Sequence, residues 1–299
     1  MPRRNVGHFK GERARAHYLS AYQTAMAGLP PVDESVDVPT SFGTVRAYRF
    51  DGPSSGPPVV LLPGRNASTP MWRSNIPALL EHRTVICVDL LGEAGMSVQE
   101  KPITGPADEA QWLDDVLAGL GLHRTHLMGV SIGGWTAVNF AVHRPGRAAS
   151  LSLLDPVFTF APVPVKSMVI AAGMFLPLPD SVQRRVFSWI SGGADVDDSL
   201  PEAALISAGS TDYVLRKAMP KLFTNDQLRS LAVPVLALIA GRSVMLDAAL
   251  AAARARNLLP RGQVELWPDA SHAINGEYPG EIAQTAAEFW DEVDGVSSQ

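Results

Sequence analysis

Apolar residues fall into two alternating patterns along the chain. Short apolar runs rich in β-branched side chains occupy residues 36–39, 43–50, 59–62, 84–88, 125–128, 150–154, 235–239 and 264–267. Helix-length segments lie at 71–81, 108–120, 132–143 and 247–258, and a further one at 281–293 follows the last run. Runs such as VVLL and LALIA are apolar throughout, as in strands buried on both faces, and strand–helix–strand repetition builds parallel sheets covered by helices. The pattern predicts an α/β fold: a mostly parallel eight-stranded sheet with helices on both faces, its first two strands joined by a hairpin at 41–43.

Two stretches break the rhythm. Residues 1–35 carry a helical patch at 13–27 before the first strand. Residues 156–230 form an insertion between strands six and seven, without evident strands, in which a Pro-, Met- and Phe-rich stretch gives way to amphipathic and then alanine-rich sequence. Ligands of open α/β sheets bind outside the carboxyl ends of the strands, so this insertion is expected to be a helical lid over that edge. The organisation that follows is an N-terminal helical extension (1–35), one catalytic core (36–155 and 231–299) and a lid (156–230).

Composition narrows the possible partners. The 299 residues are 46% apolar and 18% charged, as in a globular protein. The 25 basic and 30 acidic residues give a net charge of −5 with no basic stripe, so no nucleic-acid partner is expected. Cys87, the lone cysteine, excludes a disulfide framework and a cysteine-rich metal site, and within VICVD it reads as an inert core residue. His123 and His126 form the one close histidine pair, flank a strand start and read as exposed; with no acidic cluster beside them, no metal is expected. No phosphate-cradling glycine loop follows a strand, and no cofactor is expected. The most apolar segment, 167–178, is shorter than the roughly 20 residues of a membrane span. No signal-peptide core follows the basic N-terminus, so the expected location is cytoplasmic. Oligomeric state is not legible.

Candidate chemistry begins at GVSIGG, residues 129–134, placed between the strand THLM and a helix. A serine on so tight a strand-to-helix turn needs glycine two positions to either side, where a side chain would strike neighbouring backbone. Ser131 is therefore the candidate nucleophile. His272, in the loop after the last strand, faces the same edge of the sheet and can take the hydroxyl proton and return it to a leaving group.

With these residues the sequence resembles the α/β-hydrolase family, and within it carboxylesterase-like members with an N-terminal helical extension. The resemblance rests on LLPGRNAS after strand three, VDLLGEAGMS after strand four, GVSIGG, and DASH near the end. It implies a Ser-His-Asp triad and an oxyanion hole. Two positions depart from the family pattern. The loop after strand seven has Val244 where relatives usually place the acid. Asp247 is close by but reads equally well as a helix cap. Asp155, ending strand six in LLDP, stands where some relatives carry their acid, and reads alternatively as an Asp-Pro turn. Asp155 is the preferred acid; Asp247 and an acid-free dyad stay open. After strand three, relatives read His-Gly where this chain has Pro63 and Gly64. Main-chain amides of Ile132 and Arg65 still supply the oxyanion hole.

Asn66, Trp72, Trp135 and Phe158 are candidate substrate contacts, and the side chains of Arg65 and Asn66 read alternatively as solvent-facing. Phe160, Met168, Met174 and Phe175 add apolar surface to the lid, favouring a hydrophobic small-molecule ester unless they are lid core. The expected activity is ester hydrolysis through an acyl-enzyme. The rivals are a non-hydrolytic acyltransferase, lactone-forming or cyclising enzyme, and a catalytically silent binding protein. Dehalogenation is disfavoured because the elbow carries serine, not a carboxylate.

Overall fold

The computed structural model describes residues 5–53, 56–173, 180–190 and 200–295. In chain order the elements are β1 (His8–Phe9), α1 (Glu12–Met26), β2 (Glu34–Thr40), β3 (Gly43–Phe50), β4 (Val59–Leu62), α2 (Ile76–Leu80), β5 (Val85–Val88), β6 (Val98–Gln99), α3 (Pro106–Gly119), β7 (Thr125–Val130), α4 (Ile132–His143) and β8 (Ala148–Leu154). There follow α5 (Val165–Gly173), α6 (Asp180–Ile190), α7 (Pro201–Asp212), β9 (Tyr213–Val214), α8 (Asn225–Arg229), β10 (Val235–Ala240), α9 (Ala248–Leu258), β11 (Gly262–Trp267), α10 (Ile274–Glu277) and α11 (Pro279–Asp294).

The eight expected strands lie side by side in the order β11-β10-β8-β7-β4-β5-β3-β2. The five pairings from β11 through to β5 are parallel, and β3 joins β5 and β2 antiparallel. Parallel strands need crossovers that return over a sheet face, and the helices between them cover both faces. Strand side chains alternate between those faces. Val60 and Leu62 of β4 pack with α3, α4 and α9 on one side, while Val59 and Leu61 pack with α1, α2 and α11 on the other. Cys87 is buried in the second layer.

The structure corrects three local expectations. The segment 71–81 is not one helix: a 3₁₀ turn at Thr69–Trp72 precedes α2. Pro77 inside a longer helix would remove a hydrogen bond and clash with the preceding turn, so it sits in the first turn of α2. The insertion at 156–230, expected to lack strands, contains β9, which pairs antiparallel with β1 of the N-terminal segment. The third correction is His126, which is buried, not exposed: Nδ1 lies 2.8 Å from Ser150 Oγ, Nε2 3.2 Å from Asp294 Oδ2, and the ring stacks on Trp290. Burial pushes this imidazole down to about 4, the nearby Asp294 carboxylate opposing the shift and Arg83 adding to it. Among the described residues no helix is long and apolar enough to cross a membrane, and no cluster of His, Cys, Asp and Glu is arranged to hold a metal ion.

Candidate active site

Ser131 lies between β7 and α4 with φ 54° and ψ −116°. This is a conformation that L-residues avoid, at a cost of about 1–3 kcal/mol, so the surrounding structure must hold it. The flanking glycines show how tightly it does so. A Cβ on Gly129 would fall 2.3 Å from Gly133 O, and one on Gly133 would fall 2.0 Å from Leu62 O.

The loop after β11 brings His272 beside this serine. His272 Nε2 is 3.0 Å from Ser131 Oγ, and its Nδ1 is 2.6 Å from Asp155 Oδ2. A carboxylate only accepts, so Nδ1 donates to it and neutral Nε2 is left to accept the serine hydroxyl. Asp155 follows β8, is wholly buried and has φ 43°. Its Oδ1 accepts from Ala240 N at 3.1 Å and its Oδ2 also accepts from Ser243 Oγ at 2.6 Å. Asp247, by contrast, caps α9, where its side chain accepts from Leu250 N at 2.9 Å. The main-chain carbonyl of Val244 accepts from the Ser167 hydroxyl.

The N–H of Ile132 opens α4 and so lacks a partner within the helix. The loop after β4 passes close on the other side: a Cβ on Gly64 would be 3.8 Å from Ser131 Cβ. Gly64 N donates to Met71 Sδ at 3.0 Å, which steadies that turn. Arg65 is partly exposed, with Nη1 3.7 Å from Glu93 Oε1.

One expected substrate contact is corrected. Trp72 is wholly enclosed in the core, because the 3₁₀ turn carries its indole in beside Ile76 and Leu79. Asn66 has φ 57°, which tucks its amide inward; it is buried, not solvent-facing, and Nδ2 donates to Ser210 Oγ of α7 at 3.2 Å while Oδ1 has no hydrogen-bond partner. Trp135 borders a cavity of about 220 Å³, with Nε1 donating to Lys221 O at 3.0 Å and the ring stacked on Phe223. Phe158 is half-buried with φ 53° and packs against the sheet layer that contains Trp135. Phe160 is buried and Met168 is partly exposed; Met174 and Phe175 lie outside the described residues.

Sequence reasoning missed two groups. Ser243 carries no motif, and only folding brings it to Asp155. Asp89, in the VDLLGEAGMS stretch, is a second buried carboxylate. It accepts from Thr69 N, Thr69 Oγ1, Met96 N and Tyr22 OH at 2.7–3.0 Å, binding α1 to the turn after Asn66. Burial raises its carboxyl above the usual range despite these donors.

Known proteins share this arrangement of elements. An uncharacterized carboxylesterase, nap, of Bacillus subtilis is 28% identical over 94% of each chain. Carboxylesterase YbfK of the same organism is 27% identical, over 94% of this chain and 96% of its own. The crystal structure of naproxen esterase from Bacillus subtilis superposes with a TM-score of 0.86 at 27% identity, covering 94% of this chain and 99% of that one. A model of the alpha/beta hydrolase family matches residues 59–285, most of the chain, and the protein belongs to that family.

Proposed function

We infer that this protein is a serine hydrolase acting on carboxylic esters, with Ser131 as nucleophile, His272 as general base and acid, and Asp155 as the acid that orients the imidazole. The observation that carries this reading is the unbroken hydrogen-bonded line from Ser131 Oγ through His272 to buried Asp155. Kinship with carboxylesterases over nearly the whole chain supports ester chemistry.

The steps follow from the geometry. His272 Nε2 takes the Ser131 proton as Oγ attacks the ester carbonyl. The resulting oxyanion would rest on the Ile132 and Arg65 amides, main-chain donors of the kind that stabilise developing charge. Asp155 stabilises the imidazolium, which then protonates the departing alkoxide. Water, deprotonated by the same Nε2, attacks the acyl-enzyme; the acid leaves and Ser131 regains its proton. Trp135 and Phe158 suit a small hydrophobic ester, and residues 156–230 would act as the lid over it. Ser131→Ala should reduce kcat on para-nitrophenyl butanoate by at least about a thousandfold with little change in thermal stability. Turnover at the wild-type rate would remove Ser131 from the mechanism.

A further inference from the structure

The cavity bordered by Trp135 adjoins both oxyanion residues, Arg65 and Ile132. Ile103, Pro106, Ile132 and Trp135 give it apolar walls, and Arg65, Glu109, Lys217 and Lys221 give it charge. Two of these four, Lys217 and Glu109, are paired with each other. Lys217 Nζ lies 3.1 Å from Glu109 Oε1 and donates to Leu91 O at 3.0 Å, while Glu109 Oε2 accepts from Trp112 Nε1 at 2.7 Å. Buried Glu93 has neither oxygen hydrogen-bonded and stands 3.7 Å from both Lys217 Nζ and Arg65 Nη1.

Lys221 is exposed, and Arg65 is the partly buried cation with donors unused. Its guanidinium offers five N–H donors, yet among the described residues its partner is Glu93 alone, beyond hydrogen-bond range and with 28% of the Arg65 side chain exposed. Arg65, Lys217 and Lys221 against Glu93 and Glu109 leave a net positive charge at this cavity. A cationic group would be repelled there, and, with Glu93 standing at 3.7 Å, a neutral one would leave the guanidinium donors without a charge-assisted hydrogen bond. A carboxylate matches its planar fork with two parallel, charge-assisted hydrogen bonds.

The geometry points to esters that carry a carboxylate, on either the acyl or the alcohol half, as the preferred substrates, the Arg65 guanidinium holding that carboxylate while the Arg65 main-chain amide serves the oxyanion. This rests on the esterase reading above and adds a substrate class to it. An apolar spacer between ester and carboxylate fits the cavity walls, and Glu93 keeps the guanidinium in place when no substrate is bound.

Two probe pairs test it and tell the two halves of the ester apart. The first is the para-nitrophenyl half-ester of adipic acid against its neutral methyl ester. The second is para-carboxyphenyl butanoate against its neutral methoxycarbonyl analogue. Wild type, Arg65→Met and Arg65→Lys are compared, with enzyme-free hydrolysis subtracted. The readout is the kcat/KM ratio of charged to neutral member, in which damage to the shared oxyanion loop cancels. In at least one pair wild type should favour the charged ester by about tenfold or more, chiefly through KM. Arg65→Met should bring that ratio to unity or below, and Arg65→Lys should keep part of it. Equal rates on both members of both pairs in wild type, or a preference that survives Arg65→Met, would overturn the carboxylate assignment alone. If wild type hydrolyses none of the four esters, the esterase reading falls and takes this assignment with it.

Discussion

At the scale of single residues, the two candidate acids separate by what their oxygens already do. Asp155 receives His272, Ser243 and Ala240, whereas the Asp247 side chain is taken up by the first turn of α9. Asp155→Asn should therefore leave the imidazole in the wrong tautomer and lower kcat by about three to four orders of magnitude. Asp247→Ala should leave kcat within about twofold and cost about 1 kcal/mol of stability, the usual value of a helix cap. Steady-state kinetics and denaturant melts on the two variants check both halves, and a kcat loss confined to Asp247→Ala would reverse the assignment. Ser131 stood out as the candidate nucleophile in the sequence because the elbow is a local constraint: five consecutive residues state it, and the backbone overlaps at Gly129 and Gly133 explain it. The acid was not legible in the same way. It has only to reach an imidazole from a neighbouring strand, and Asp155 and Asp247 both lie near the same sheet edge until Ser243 and Leu250 show where each side chain is bound. Trp72 was misread for a related reason: adjacency in sequence to a site loop says nothing about which way a 3₁₀ turn aims an indole.

At the scale of elements, α1 does more than precede the sheet. Tyr18 OH lies 3.1 Å from Ser68 Oγ, and Tyr22 OH lies 3.0 Å from both Tyr48 OH and Asp89 Oδ2. These contacts brace the turn that follows Gly64 and Arg65, so the N-terminal segment reaches the loop after β4 through buried polar groups. Such groups are costly to leave unpartnered. Tyr22→Phe, which removes the hydroxyl and keeps the ring, should lower stability by about 1–3 kcal/mol in urea denaturation and change kcat less than threefold. An unchanged denaturation midpoint would show that the network contributes nothing. Sequence patterning found the helix in this segment but not the network, because a run with Tyr18 and Tyr22 four residues apart looks like ordinary core packing. The β1–β9 ribbon was equally hidden, since strands of two residues leave no periodicity to detect.

At the scale of the whole molecule, the far end of the sheet from Ser131 is closed by the last helix. His126 on β7 meets Asp294 of α11, which also faces Arg83, and Trp290 stacks on the imidazole. His126 is pushed down to about 4 in the folded protein, while the unfolded chain takes up its proton near 6.5. Between these values the unfolded state binds more protons, so stability is complete above about pH 6.5 and falls as pH drops towards 4. The full difference is about 3 kcal/mol, and below pH 4 this group adds no further slope. His126→Gln should flatten the stability profile between pH 6.5 and 4, measured by urea denaturation across that range. A slope as steep as that of wild type would place the acid sensitivity elsewhere. Alternation of strands and helices was enough to foresee the sheet order's ingredients, because strands buried on both faces can satisfy their backbone only inside such a sheet. It could not foresee that a histidine near a strand start would be sealed by a helix more than 150 residues later.

Ser131, if activated by His272, should react with electrophiles that mimic an ester. A fluorescent serine-directed alkyl phosphonate followed by peptide mass mapping tests it most directly. One adduct per chain is expected, on Ser131, formed slowly or not at all in His272→Ala. No adduct at Ser131 in the folded wild-type protein, or labelling of Ser131 at the same rate without the imidazole, would contradict it.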